Sequence, residues 1–188
     1  HTLGPKDGAV VEAMQLDRAA LASVPGQSTR TIGDWVVVTR HDDPSMVEDM
    51  MDTLCEMELA CITKALGSVR VDGAMFWEDM AFKTGPLISP KMFRRFMMPR
   101  YKRITELLRS KGVDIIFVDS DGNLTHLIPL WIESGINFFW PLECAAGNDA
   151  VALRKQYGRS AILGGNIDKR VLMKTKDAIR DEVMSKVP

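Results

Sequence analysis

The chain has 188 residues, 46% of them hydrophobic, which suits one domain able to bury a substantial core. Its 24 basic and 25 acidic side chains leave a formal net charge of -1 and are scattered, so there is no basic stripe of the kind that binds nucleic acid. Three cysteines without a CxxC pair argue against both a disulfide framework and a zinc ribbon. No apolar run approaches the roughly 18 residues of a membrane span. The first residues, His1-Thr2-Leu3-Gly4-Pro5-Lys6, lack the charged head and apolar stretch of a secretory leader. The expectation is a cytoplasmic protein with no membrane or nucleic-acid partner. A first residue other than Met is expected of a trimmed or partial product.

Residues 1-33 are punctuated by Gly4, Pro5, Gly8, Pro25, Gly26 and Gly33, and only Val10 to Val24 could hold a helix. They are read as an irregular N-terminal segment, with residues 34-188 as the folded domain. Trp35 to Thr39 is β-branched and predicts a strand. Asp42-Asp43-Pro44-Ser45 opens a helix whose Met46, Val47, Met50, Met51, Leu54, Met57 and Cys61 recur at helical spacing. Those methionines, with Cys55 and Cys61, are expected to be core. Val69 to Trp77 is the next strand. Ser89-Pro90 then caps a long helix through Phe93, Phe96, Met97, Tyr101, Ile104 and Leu108, where Pro99 predicts a kink or break.

Val113 to Val118 is a buried strand running into Asp119-Ser120-Asp121-Gly122-Asn123. A helix from Leu124 to Ser134 stops at Gly135, and Ile136 to Trp140 is a strand ending in Pro141-Leu142-Glu143-Cys144. Asp149 to Tyr157 is helical, Ala161 to Gly165 is a short strand before Asn166-Ile167-Asp168, and a last helix begins near Lys169. Strands alternating with helices call for parallel pairing and right-handed crossovers. No GxGxxG or GxxxxGK[ST] follows a strand, which removes the usual support for a nucleotide fold. The fold class is therefore α/β, a partial (β/α)8 TIM barrel of four to five βα units.

The chemistry lies in position. Glu78 and Asp79, Asp119 and Asp121, Glu143, and Asp168 each follow a predicted strand, and in a barrel those ends converge on one face. The bland alternative is that such residues cap helices or make turns. Clustered carboxylates could hold a divalent cation such as magnesium or manganese. They could instead raise one another's pKa, so that one serves as a general acid beside an ionised partner. Lys83, Arg94, Arg100 and Lys169 are candidate cations for an anionic substrate. His126 could face the site, and His41 has no evident partner.

Several of these stretches resemble the uroporphyrinogen decarboxylase superfamily. They are Glu78-Asp79-Met80, Gly85 to Pro90, Phe93 with Pro99-Arg100-Tyr101, Asp119 to Asn123, Gly135-Ile136-Asn137, Pro141-Leu142-Glu143 with Gly147, and Gly164 to Lys169. The resemblance covers about residues 43 to 188 and implies a (β/α)8 barrel. One branch of that superfamily decarboxylates a tetrapyrrole without a cofactor. Another, the methylcobamide:coenzyme M methyltransferases, uses zinc held by a His-x-Cys motif, where this sequence has Asp119 and Asp121. The decarboxylase branch's arginine-rich N-terminal motif is not found, so the chain resembles the back portion of a longer enzyme.

The expected function is decarboxylation of a carboxylated or methylated small molecule. Asp79, Asp119 and Asp121 are the candidate catalytic residues, and Glu78, Glu143, Asn166 and Asp168 the substrate-binding ones. The cofactor is either none or a divalent metal, with Asp119, Asp121 and Cys144 as candidate ligands. The alternatives are a cobamide-dependent methyltransferase-like protein, a metal-dependent lyase or aldolase, and a catalytically silent binding or assembly module. A sheet of four or five units leaves bare edges, so a homo-oligomer, a dimer of half-barrels, is also expected.

Overall fold

The computed structural model describes residues 43-186 in full, and the backbone of Val11–Met14, Arg30–Ile32 and Trp35–Thr39. The chain divides into two compact units, His1–Leu54 and Cys55–Pro188.

In the first unit, β1 (Val11–Met14) and β2 (Arg30–Ile32) flank the β-branched strand β3 (Trp35–Thr39). Both pairings are antiparallel, with Val11 opposite Thr39 and Arg30 opposite Val37. The strand expected at residues 35-39 is present, but it belongs to this small sheet and not to the parallel series. A β-branched run suits either ladder, and its partner is settled by distant chain. Within the helix considered for Val10 to Val24, residues 11-14 are strand; the rest, like His41, lies outside the described residues.

Asp43 caps α1 (Pro44–Leu66), its Oδ1 accepting from the Met46 N–H at 2.9 Å with Pro44 at the first helical position. Cys55 is buried, as expected, but Cys61, Met50, Leu54 and Met57 are exposed. The apolar stripe of this helix is therefore covered only in part.

The second unit is built on four parallel strands in the order β4 (Gly73–Trp77), β7 (Ile115–Asp119), β8 (Phe138–Leu142), β9 (Ile162–Gly165). A two-residue hairpin, β5 (Ala81–Phe82) with β6 (Gly85–Pro86), follows β4. Strand β4 starts later than the sequence suggests, because Gly67 ends α1 and Val69 is exposed. Strand β8 runs on through Pro141 and Leu142, and its register against β9 slips between Phe139 and Leu142. Proline supplies no N–H to a ladder, which suits that irregular place.

The long helix expected after Ser89 forms in three pieces: α2 (Pro90–Met92), a π-helical stretch Phe93–Met97, and α3 (Met98–Ser110). Ser89 caps its start, Oγ accepting from the Met92 N–H at 3.2 Å. Pro99 explains the interruption. It has no N–H for the Arg95 carbonyl four residues back, and the Met98 N–H bonds five residues back to the Phe93 carbonyl. The Arg100 guanidinium donates to the carbonyls of Arg95 at 3.4 Å and Phe96 at 3.3 Å.

The remaining helices are α4 (Ile128–Glu133), α5 (Ala150–Tyr157) and α6 (Lys176–Lys186). Asp149 caps α5 through the Val151 and Ala152 N–H groups. Helix α6 begins seven residues later than expected, since residues 169-173 form turns and Thr175 accepts from the Ala178 N–H. None of the described helices is long and apolar enough to cross a membrane.

The core lies on one face of the parallel sheet. Ile116, Val118 and Phe139 are fully buried there with Tyr101, Ile104 and Leu108 of α3 and Trp131 of α4. Trp131 stacks near Phe139 at 6.4 Å and meets the edge of Phe93 at 6.3 Å. By strand alternation Met75, Trp77, Ile115, Asp119, Trp140 and Ile162 occupy the opposite face. Five of these six are large hydrophobic residues left exposed, Trp77 at 79%.

Candidate functional site

The C-terminal ends of β4, β7 and β8 are level with one another, because sheet bonding continues past them. The Glu78 N–H donates to the Asp119 carbonyl at 2.7 Å, and the Ser120 N–H to the Trp140 carbonyl at 3.0 Å. The segments after these strands thus emerge side by side, with Asp119 between Trp77 and Trp140 in the register.

The Asp119-to-Asn123 loop is held from several sides. The Ser120 hydroxyl, fully buried, accepts from the Met80 N–H at 3.0 Å. Asn123 donates to the Ala146 carbonyl at 2.8 Å. Asn148, also buried, donates to the Gly122 and Glu143 carbonyls and accepts from the Leu124 N–H at 2.9 Å. Gly122 has φ +87°, and a Cβ there would stand 2.2 Å from the Ala81 carbonyl oxygen. Only glycine meets both conditions.

On this framework the carboxylates of three strand ends come together. Asp79 accepts from the Asp121 N–H at 3.3 Å. Glu143 accepts from the Gly122 N–H at 3.1 Å and from Lys169 Nζ at 2.8 Å. Lys169 arrives on the loop after β9, so four strands contribute to the cluster.

The electrostatics divide the acids. The Asp121 carboxyl is pushed up, first by burial and then by Glu143 and Asp79, with Lys169 opposing. Asp119 is raised by burial and by Asp121 and Asp79. Glu143 is held below its ordinary value by the Lys169 hydrogen bond and the Gly122 N–H, and Lys169 is raised in turn by Glu143. The arrangement sets a carboxyl pushed up beside one held down, the kind of divergence from which acid–base chemistry is built.

The other expected site residues lie elsewhere. Glu78 is more buried than its neighbour Asp79, and its carboxyl is pushed up to about 7, first by burial and then by Glu58 and Asp79. Asp168 is bound by the Arg170 guanidinium at 2.6 Å, which with the Arg170 N–H holds it down at about 2, so it makes a turn and an ion pair. Asn166 is buried at φ +63°. Its amide donates to the Leu142 and Asn148 carbonyls and accepts from the Ala150 N–H, so it braces backbone where a substrate contact was expected.

Cys144 donates to the Asn166 carbonyl at 3.0 Å, and burial pushes its thiol up. Its charged neighbours are Lys186, Glu182, Asp168 and Arg170, not Asp119 or Asp121. Among the described residues no three His, Cys, Asp or Glu side chains gather to hold a metal ion, so this donor set does not fit thiolate zinc. Arg94 pairs with Glu133 at 2.6 Å, and His126 is exposed on the turn before α4. Of the four candidate cations, Lys169 is bonded to the cluster through Glu143. Sequence reading missed Ser120, Asn123 and Asn148; Gly122-Asn123 and Gly147-Asn148 are turn pairs, the one signal pointing to them.

Fold and cluster together define an α/β protein with an acidic site at the C-terminal ends of a parallel sheet. The uroporphyrinogen decarboxylase (URO-D) family model matches residues 19-187, and the chain belongs to that family. It is 27% identical over 103 residues to the chloroplastic uroporphyrinogen decarboxylase of Zea mays, and 26% identical over 103 residues to the uroporphyrinogen decarboxylase of Hordeum vulgare. Those matches take in 53% of this chain, and 25% and 29% of the relatives' own lengths.

Proposed function

We propose that this chain carries a decarboxylase site, acting on a small molecule with a carboxylate to lose and an N–H-bearing or cationic body. The observation that carries this reading is the Asp121–Glu143–Lys169 arrangement, in which a carboxyl raised in pKa stands beside an ion pair. Loss of CO2 breaks a C–C bond and leaves its electron pair on carbon, which a proton must quench. Asp121 supplies that proton and recovers it from water. Lys169, 74% exposed at its side chain, orients the departing carboxylate. Asp79, Asp119 and Glu143 form the anionic wall that holds the rest of the substrate.

Uroporphyrinogen, for which the matched relatives are named, is the first substrate to assay by CO2 release. Asp121→Ala is expected to lose about 10²–10⁴-fold in turnover with an unchanged circular dichroism spectrum. Wild-type rates in that variant would overturn the assignment.

The same reading extends to assembly. Parallel sheets are buried on both faces, whereas Trp77 and Trp140 on one face of this one are exposed. Four strands are half of an eight-stranded barrel. We propose that a second copy, related by a two-fold along the barrel axis, sets its β9 edge against β4 and closes the sheet.

A further inference from the structure

Behind the acidic cluster, on the core side of the sheet, two buried polar groups have no closed hydrogen bond: the Tyr101 hydroxyl and the Trp131 indole Nε1. Burial without a partner is costly for either, and native interiors rarely tolerate it. The two groups are neighbours. The Tyr101 hydroxyl lies close enough to the Glu78 carboxyl and the Trp131 indole to feel both, without a closed hydrogen bond to either.

Neither ring has room to adjust. Tyr101 is 4% exposed, stacked on Phe93 at 5.7 Å and edge-on to Phe76 at 5.0 Å. Trp131 is 0% exposed and wedged between Phe93 and Phe139. Glu78 differs, since it hangs from the end of β4 on an unbranched side chain and is less buried than either ring. Its carboxyl is the piece that can move to complete the chain.

We propose that Trp131, Tyr101 and Glu78 form a proton-responsive hydrogen-bond relay, closed when Glu78 is ionised and open when it is neutral, with Glu78 acting as a positioning residue behind Asp79. An indole N–H can only donate, and a phenol can accept one bond while donating another. The relay therefore runs from the Trp131 N–H to the Tyr101 oxygen, and from the Tyr101 O–H to a terminal acceptor. An ionised carboxylate is the strongest acceptor at hand.

Opposing closure are burial and the charged groups that reach Glu78. Among the described residues these are acidic on both sides, Glu58 from α1 and Asp79 from its own strand end. That opposition brings the transition close to neutral pH, at about 7. Ionised Glu78 adds negative charge next to Asp79, whose carboxylate accepts from the Asp121 N–H. The core is thereby coupled to the site loop. The relay does not rest on the proposed decarboxylation, and its readout is spectroscopic.

The test is an indole-labelled ¹H–¹⁵N spectrum of the full chain between pH 5.5 and 8.5, with the Trp131 signal assigned by its loss in Trp131→Phe. The Trp131 N–H resonance is expected to move with one midpoint near pH 7. Glu78→Gln should flatten that titration and leave the Trp77 and Trp140 signals in place. Tyr101→Phe, which removes the middle link and keeps the ring, should flatten it as well. A Trp131 signal that does not titrate in the wild type, or that titrates unchanged in either variant, overturns the relay.

Discussion

Glu143 and Asp121 stand close together and shift in opposite directions, which gives the activity a sign. In the proposed reaction Asp121 is the acid, so turnover should fall as pH rises through its elevated range. Glu143→Gln removes the first charge that raises Asp121 and frees Lys169 to draw it down, so the falling limb should move to lower pH in that variant. A pH–rate profile of the two proteins checks this. Glu78 carries a separate prediction for stability. Its folded pKa of about 7 lies above the ordinary 4.5, so the native state binds the extra proton between those values. The contribution is present below the lower pH and lost as pH rises through the upper. Glu78→Gln should therefore match wild type near pH 4 and exceed it at pH 8 by roughly 2–3 kcal/mol, read from urea midpoints.

Among the elements, the loop from Asp119 to Asn123 matters most, and it depends on a glycine. Alanine at Gly122 would meet the Ala81 carbonyl at 2.2 Å with φ held at +87°, so the loop must shift and the Gly122 N–H would leave Glu143. Gly122→Ala is expected to cost about 1–3 kcal/mol and most of the turnover. Thermal melts together with the CO2 assay would show both. The π-helical stretch before Pro99 belongs to the same scale. Phe93 and Phe96 within it are both buried, while Arg100 returns a donor to the Arg95 carbonyl.

For the whole molecule, the exposed apolar side chains on one face of the parallel sheet bear on assembly. Met75, Trp77, Ile115, Trp140 and Ile162 lie exposed across four neighbouring strands. Patches of that kind mark interaction surfaces. Light scattering at micromolar concentration should find about twice the chain mass of 21.0 kDa, and Trp77→Asp should shift the protein toward monomer. A wild-type monomer would exclude the two-fold barrel.

Much of this was legible in the residues. Apolar runs such as Ile115 to Val118 and caps such as Asp43, Ser89 and Asp149 declare strands and helix starts, because periodicity and capping are local physics. Acids after strands likewise marked the rim where Asp79, Asp121 and Glu143 meet. Local pattern does not determine which neighbour each acid meets. Asp168 was taken by Arg170 and Asn166 by buried backbone, while Glu78 pointed into the core toward Tyr101, 23 positions further along. The pairing of β3 was equally beyond reach of its own five residues. Composition and spacing determined the elements and the rim; only tertiary structure decided the partners, because hydrogen bonds and charges are completed by groups that are distant in the chain.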